Sequence, residues 1–398
     1  MAEKRKDNKR RLLYAGESQL KDGRYVYKYR DLNGKYRYVY SWRLVSTDPM
    51  PYGKKEDVPL RDQEKAIQRD IDDRIIPYGA NLTVYELAKK YIATKTGVRY
   101  NTEVNYRFIL NVLQSDPFGN VRIDKIKQSD AKSWLIYLQA SGKGYSTIHA
   151  IRGVVRPAFQ MAVADDILRK NPFDFPLGNT LVNDSVTRDA MTRKQKRAFL
   201  EFVQNDKCYR QYYDGIFILF ETGMRISEFC GLTFSDLDFV NRTIVIDHQL
   251  QRRSDMTYII EQPKTGSGSR VIPMTATVYD ALKRILATRN KPKIEPMVDG
   301  KVGFLFLDKN DMPKVALHWE KVFNRIVKKY NSIYKVQMPN VTPHIARHTY
   351  CSIMANSGMN PQTLCALVGH SDIATTLKFY VHVNLEDVQN EMKKVQVL

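Results

Sequence analysis

Between residues 25 and 43 side-chain character changes at every second position. Tyr25, Tyr27 and Tyr29 alternate with Val26, Lys28 and Arg30, and Tyr36, Tyr38, Tyr40 and Trp42 alternate with Arg37, Val39 and Arg43. A period of two is that of a β-strand, and Asn33-Gly34 between the runs supplies a hairpin turn. The alternation predicts aromatic residues on one face and mostly basic residues on the other. Leu60, Ile67, Ile71 and Ile75 recur at helical spacing, which predicts a helix over the aromatic face. The basic face is left free, with Lys28, Arg30, Arg37 and Arg43 as expected DNA contacts, since a β-ribbon fits a major groove. The alternative is a small sheet whose charges only keep it soluble.

From residue 82 to 180 the periodicity is helical throughout. Thr83 with Glu86 forms a capping box ahead of Val84, Leu87, Ala88, Tyr91 and Ile92. Val104, Phe108, Leu110 and Val112 predict a second helix, broken by Asp116-Pro117 and Phe118-Gly119. Ala131 to Leu138 and Thr147 to Val163 predict two more. Asn171-Pro172, Pro176 and Gly178-Asn179 read as a linker. Beyond it, Thr192 with Gln195 caps a helix holding Phe199, Leu200 and Val203, and Ile216 to Phe220 is a buried helix. Thr243 to Ile246 and Met256 to Met274 look like strands, and helices return towards the end of the chain. The pattern predicts a multidomain chain, mainly α with small β elements. The expected parts are a β-sheet domain over 1–80, a helical bundle over 82–180 and a mixed α/β domain over 187–398.

Charge narrows the partners. The chain has 398 residues and a formal net charge of +20, which favours an anionic partner, nucleic acid before membrane. No run of about 18 apolar residues occurs, so no membrane span is expected. The charged N-terminus predicts no signal peptide. Cys208, Cys230, Cys351 and Cys365 have no CxxC spacing and read as free thiols in a reducing cytoplasm.

Four short motifs fall in order in the last part. They are Thr222-Gly223-Met224-Arg225-Ile226-Ser227-Glu228, then Pro263-Lys264-Thr265 with Arg270-Val271-Ile272-Pro273 behind it. Thr342-Pro343-His344-Ile345-Ala346-Arg347-His348-Thr349 follows, and last Leu367-Val368-Gly369-His370-Ser371 with Tyr380-Val381-His382. Singly each is weak: His344 and His348 stand i, i+4, but Ile345 takes the place of the Glu of a zinc HExxH motif. Together and in order, over roughly residues 190–385, they resemble the tyrosine recombinases, above all the integrases of conjugative transposons.

The resemblance implies DNA cleavage and rejoining through a 3′-phosphotyrosine, with no cofactor, metal or ATP. It implies a clamp of Arg225 and Arg347 on the phosphate, where guanidinium groups suit charge spread over non-bridging oxygens. Tyr380 would be the nucleophile, Lys264 the acid for the leaving 5′-oxygen, and His344 and His370 partners of the phosphate or carriers of the tyrosine proton. Glu228 would orient Arg225, and Arg270 is a further expected DNA contact. A register one residue shorter would put Phe379 in the nucleophile's place and leave the chain inactive. The implied partners are core-type and arm-type double-stranded DNA, a homo-tetramer on that DNA, and an excision factor or host DNA-bending protein. The implied setting is the bacterial cytoplasm, on the nucleoid when bound. Leu385, Val388, Met392 and Val395 step along one helical seam, which either packs on its own domain or, as the resemblance implies, docks on a neighbouring subunit. A type IB topoisomerase and a regulator with a dead site are the competing readings. The separate basic β-ribbon argues against the first, and the full set of motif residues against the second.

Charge of this size makes one outcome measurable. DNA affinity should drop by about a thousandfold or more between about 50 and 200 mM salt, as many phosphate contacts release counterions. A binding constant that stays level across that range would contradict a phosphate-dominated interface.

Overall fold

The computed structural model describes residues 5–31, 34–72, 81–185, 189–263 and 266–380. Asn33, Ile75, Lys264 and the seam residues Leu385, Val388, Met392 and Val395 lie outside them. The chain divides into two compact units, 1–186 and 187–398.

The first unit opens with an antiparallel sheet, β1 (Glu17–Gln19), β2 (Tyr25–Arg30) and β3 (Tyr36–Ser41), in that order. Helix α1 (Leu60–Asp72) follows. Tyr25 and Leu60 bury a small core with Leu13 and Leu44, while Tyr27 and Val39 pack at its edge. The register departs from the sequence expectation. Tyr25 pairs with Ser41, Tyr27 with Val39 and Tyr29 with Arg37, whereas Lys28 pairs with Tyr38 and Arg30 with Tyr36. Opposed residues share a face, so the two tyrosine rows lie on opposite faces. Tyr36, Tyr38 and Tyr40 stand about half exposed, at 57%, 51% and 49%, on the open face with Lys28 and Arg30. The Lys28 ammonium lies 4.1 Å from the centre of the Tyr36 ring. Alternation orders the faces within one strand; the span of the connection aligns one strand with the next. Two expected basic contacts are turned to the protein itself: Arg37 pairs with Asp31 at 3.0 Å, and Arg43 donates to the Asp57 carbonyl.

The rest of the unit is helical: α2 (Val84–Ala93), α3 (Tyr100–Ser115), α4 (Gln128–Ala140) and α5 (Tyr145–Ala164). Thr83 and Glu86 make the expected capping box. In α3 the buried residues are Ile109 and Leu113, while Val104 and Phe108 are 40% and 44% exposed. Both apolar rows have helical spacing, and only packing chooses between them. The expected linker is core. Phe173, Phe175, Leu177 and Leu181 are buried among the helices, and the Phe173 ring sits 5.2 Å from Phe159 and 6.1 Å from Trp134. Arg152 donates to the carbonyls of Phe173 and Phe175. Pro, Asn and Gly mark the turns of this stretch, and the apolar residues between them anchor it.

The second unit holds α6 (Arg193–Asn205), α7 (Tyr213–Thr222), α8 (Ile226–Gly231), α9 (Ala276–Thr288), α10 (Ala316–Ile333), α11 (Pro343–Asn356), α12 (Pro361–Val368) and α13 (Ile373–Leu377). Strands β4 (Leu237–Asp238), β5 (Thr243–Ile246) and β8 (Arg270–Pro273) form one sheet, and β6 (Gln249–Arg252) pairs with β7 (Tyr258–Glu261) in another. The expected strand over 256–274 is thus two strands in different sheets, divided by a 3-10 turn at Gly266–Gly268. Helix α7 buries Ile216, Ile218, Leu219 and Phe220 and lies at the centre of the core. A helix apolar all round has to be surrounded. Thr192 caps α6, and Met191 beside it donates its amide to Thr349 on α11 at 3.0 Å. Among the described residues no helix is long and apolar enough to cross a membrane.

Phe173→Ala tests whether residues 171–181 are core or linker. Loss of a fully buried Phe should cost about 3–5 kcal/mol, read as a lower denaturant midpoint for the first unit. A linker residue would leave the midpoint in place.

Candidate functional site

Two helices of the second unit end in left-handed glycines, Gly223 after α7 (φ +63) and Gly369 after α12 (φ +68). A Cβ on Gly223 would lie 2.4 Å from the Tyr350 ring, so this position needs glycine for space as well as for φ. Helix ends leave carbonyls without intrahelical donors and carry partial negative charge. Here guanidinium groups fill them. Arg347 donates to the Gly223 carbonyl at 2.7 Å and to Val368 at 2.8 Å. Arg225 donates to the Gly369 carbonyl at 2.6 Å, and Arg270 to Leu367 at 2.7 Å.

One carboxylate joins the set. Glu228, 2% exposed, accepts from Arg225 Nη1 at 2.7 Å and from Arg270 Nη2 at 2.8 Å, and also takes the Arg225 amide at 2.9 Å. Burial alone pushes its carboxyl up, but the hydrogen bonds and charge of Arg270, then the charge of Arg225, hold it below 4.5. Arg225 keeps 39% of its side chain exposed, whereas Arg270 keeps 5%. Arg270 is therefore an internal brace of Glu228, which corrects its expected place as a DNA contact. Burial and then Arg225 lower Arg347 to about 10. Burial and the nearby Arg347, Arg225 and Arg270 lower His370 to about 4, so its imidazole is neutral at neutral pH. Its Nδ1 lies 2.8 Å from the buried Thr376 hydroxyl.

Of the residues singled out in the sequence, Arg225, Glu228, Arg347 and His370 thus come together. His344 is exposed near the start of α11. Lys264 is outside the described residues. The Tyr380 hydroxyl donates to the Met359 carbonyl at 2.6 Å, and the residue packs against the small apolar cluster that contains Tyr350, Cys351 and Leu364. Burial and then Cys351 raise its pKa. Phe379 stands beside two imidazoles, with ring centres 4.7 Å from His348 and 6.4 Å from His370. The sequence reading gave no role to His348 or Thr376. The signal for His348 was its place one turn after His344; nothing marked Thr376.

Asp236, Asp247 and His248 are spaced as metal ligands would be. His248 already spends one ring nitrogen on the Gly231 carbonyl at 2.8 Å and the other on Asp247, and the Lys301 ammonium lies 3.6 Å from Asp247. The grouping is an ion-pair network as it stands.

The chain is similar to known proteins over nearly its whole length. The phage integrase family matches residues 189–387, and the DNA binding domain of Tn916 integrase matches residues 1–71. The transposase from transposon Tn916 of Enterococcus faecalis is 45% identical over 396 residues, 99% of this chain and 97% of its own. That from transposon Tn1545 of Streptococcus agalactiae is equally similar over the same spans. A solved structure of the Tn1549 transposon integrase with an Arg→Lys substitution, in complex with a circular intermediate DNA, has a TM-score of 0.76 and 41% identity, covering 79% of this chain and 99% of that one. A lambda integrase dimer bound to a core site shares the fold, with a TM-score of 0.55 at 15% identity over 93% of this chain and 96% of that one. The chain belongs to the phage integrase family and is a tyrosine recombinase, a DNA strand-transferring enzyme. Within that family it is an integrase of the conjugative-transposon type, which integrates and excises a mobile element.

Glu228→Ala would leave two guanidinium groups without their shared carboxylate. Removing one partner of a buried ion pair should cost about 3–5 kcal/mol, read by thermal or denaturant unfolding of the whole chain. Because its carboxyl is held below 4.5, the stability Glu228 contributes is present above that pH and fades as pH falls through the lower folded value. Glu228→Gln should flatten this acid limb; an unchanged limb would show that the carboxylate does not hold the cluster.

Proposed function

We propose that the chain cleaves DNA by attack of the Tyr380 oxygen on a backbone phosphorus. The phosphorus–O5′ bond breaks, leaving a 3′-phosphotyrosine and a free 5′-hydroxyl. The observation that carries this reading is the cluster itself: Arg225, Arg270 and Arg347 against the single carboxylate of Glu228. Three fixed cations and one anion leave a positive site that a phosphate would neutralise. Arg225 and Arg347 would grip the non-bridging oxygens by preorganised electrostatics. The phosphate would displace or share the helix-end carbonyls that now occupy them. Neutral His370 is ready to accept the tyrosine proton. His344 would hydrogen-bond the phosphate, and Lys264 would protonate the departing 5′-oxygen. The guanidinium groups supply the charge that a metal ion would bring in other phosphoryl transfers, and the bond energy stored in the phosphotyrosine makes ATP unnecessary for resealing.

The remaining parts follow from the same reading. Residues 1–80 would bind arm-type DNA through the open sheet face, where Lys28 and Arg30 supply charge and Tyr36, Tyr38 and Tyr40 supply ring surface. Residues 82–180 would hold core-type DNA together with the catalytic part, 187–398. Strand exchange would take place in a homo-tetramer on DNA, with the seam Leu385, Val388, Met392 and Val395 docking on a neighbouring subunit. An excision factor or host bending protein would set the direction. The protein would act in the bacterial cytoplasm, on nucleoid DNA. A dead-site regulator remains the second reading because Phe379, next to the proposed nucleophile, is the ring that stands beside His348 and His370.

The test uses the full chain on a nicked core-site duplex that lets the 5′ fragment diffuse away. A covalent adduct should appear on a denaturing gel without metal or ATP and vanish in Tyr380→Phe. Arg347→Ala should slow its formation by about a hundredfold or more, the scale of losing one preorganised donor. An adduct that appears only in Phe379→Tyr would transfer the nucleophile's place to residue 379 and make the chain as it stands a regulator.

A further inference from the structure

The setting of the last described residues has a consequence for the reaction. The Tyr380 hydroxyl is spent on the Met359 carbonyl, in the turn between α11 and α12, and the half-buried residue packs against the small apolar cluster that contains Tyr350, Cys351 and Leu364. No group of the arginine cluster takes part in that hydrogen bond. A half-buried phenol that donates to a carbonyl and has its pKa raised is a poor nucleophile. The residue before it explains why the peptide lies there. Phe379 meets His348 edge to face, at 4.7 Å and 62°, and runs nearly parallel to His370, at 6.4 Å and 8°. The Nδ1 atom of His348 is buried with no hydrogen-bond partner among the described residues, so this ring offers Phe379 a packing surface in place of a polar network. A cleft of about 540 Å³, lined by Met191, Arg193, His348, Ser352, Lys378 and Phe379, borders the same ring and leaves it room to move out.

We infer that Phe379 and His348 are positioning residues that park Tyr380 on the Met359 carbonyl, and that Phe379 must leave its seat between the two imidazoles before Tyr380 reaches a phosphate. The inference rests on Tyr380 being the nucleophile. It assigns a purpose to the Phe-Tyr pair: Phe379 is the ring that holds the neighbouring tyrosine back.

A change that merely damages the fold would slow cleavage. Loss of the seat should speed it wherever a single protomer acts alone. The readout is therefore the rate of covalent adduct formation by the full chain on a duplex carrying one core half-site, beside its melting temperature. Phe379→Ala and His348→Ala should each raise that rate by about two- to tenfold, the range that one aromatic pair contributes. His348→Phe keeps a ring edge for Phe379 and should stay at the wild-type rate. If Phe379→Ala lowers the melting temperature, Phe379→Leu keeps the apolar bulk without the ring and should show the same gain. Rates at or below wild type in Phe379→Leu and His348→Ala would overturn the inference. So would His348→Phe behaving like His348→Ala, since that would mean a proton matters and the ring contact does not. An adduct that persists in Tyr380→Phe would instead overturn the assignment of the nucleophile, an outcome visible in the same gel.

Discussion

Like charges in a protein interior repel unless something fixed lies between them, and in the second unit that something is largely backbone. The carbonyls of Gly223, Leu367, Val368 and Gly369 at the ends of two helices, with the carboxylate of Glu228, hold three guanidinium groups in place. The helix ends gain donors they would otherwise lack, and the arginines gain a rigid frame. The cost is a site short of negative charge: burial first, and then the neighbouring guanidinium groups, lower the pKa of Arg347 and of His370. Much else in the unit serves this arrangement. Buried α7 presents Gly223, the left-handed turn after α12 presents Gly369, and α11 carries Arg347 across to both.

That frame is built before any nucleic acid arrives. Preorganised charge costs little reorganisation at the moment of reaction, which suits a strand-transferring enzyme that has to cut and reseal the same bond type. The proposed nucleophile, Tyr380, belongs to a different regime. Its side chain is held by one hydrogen bond to a backbone carbonyl, and the Phe379 ring before it by edge and face contacts, interactions each worth about 1 kcal/mol. Strong fixation of the arginine cluster beside weaker fixation of the proposed attacking side chain would be a sensible division where premature cutting damages DNA.

The proposed DNA surface of the first unit is built by different means. Its sheet buries Tyr25 and half-buries Tyr27 in a core shared with Leu60 of α1, and presents Tyr36, Tyr38 and Tyr40 among Lys28, Arg30 and Arg24. Cations lying over aromatic rings stay solvated and available to phosphate while the rings keep them ordered.

Much of this was legible from residue order. The period of two at 25–43, the capping boxes at Thr83 and Thr192, and the wholly apolar run at 216–220 each specify local structure through contacts only a few residues apart, and all appear. The ordered motifs marked Arg225, Glu228, Arg347 and His370, because their chemistry depends on residue type. What the chain order left open are choices between equivalent local solutions. Val104 and Ile109 lie on neighbouring rows of one helix; Tyr27 and Tyr38 lie in rows that either face of the sheet could have taken; Phe173 sits among turn formers. Arg270 is basic whether it meets DNA or Glu228, and Tyr380 carries its hydroxyl whether that points to a phosphate or to Met359. In each case the deciding partner is far away in sequence, and a pattern read along the chain contains no term for it. The elements and the chemical types were set by the sequence alone; which face is buried, which charge is internal and where the tyrosine rests were decided by packing between segments that meet only in the folded protein.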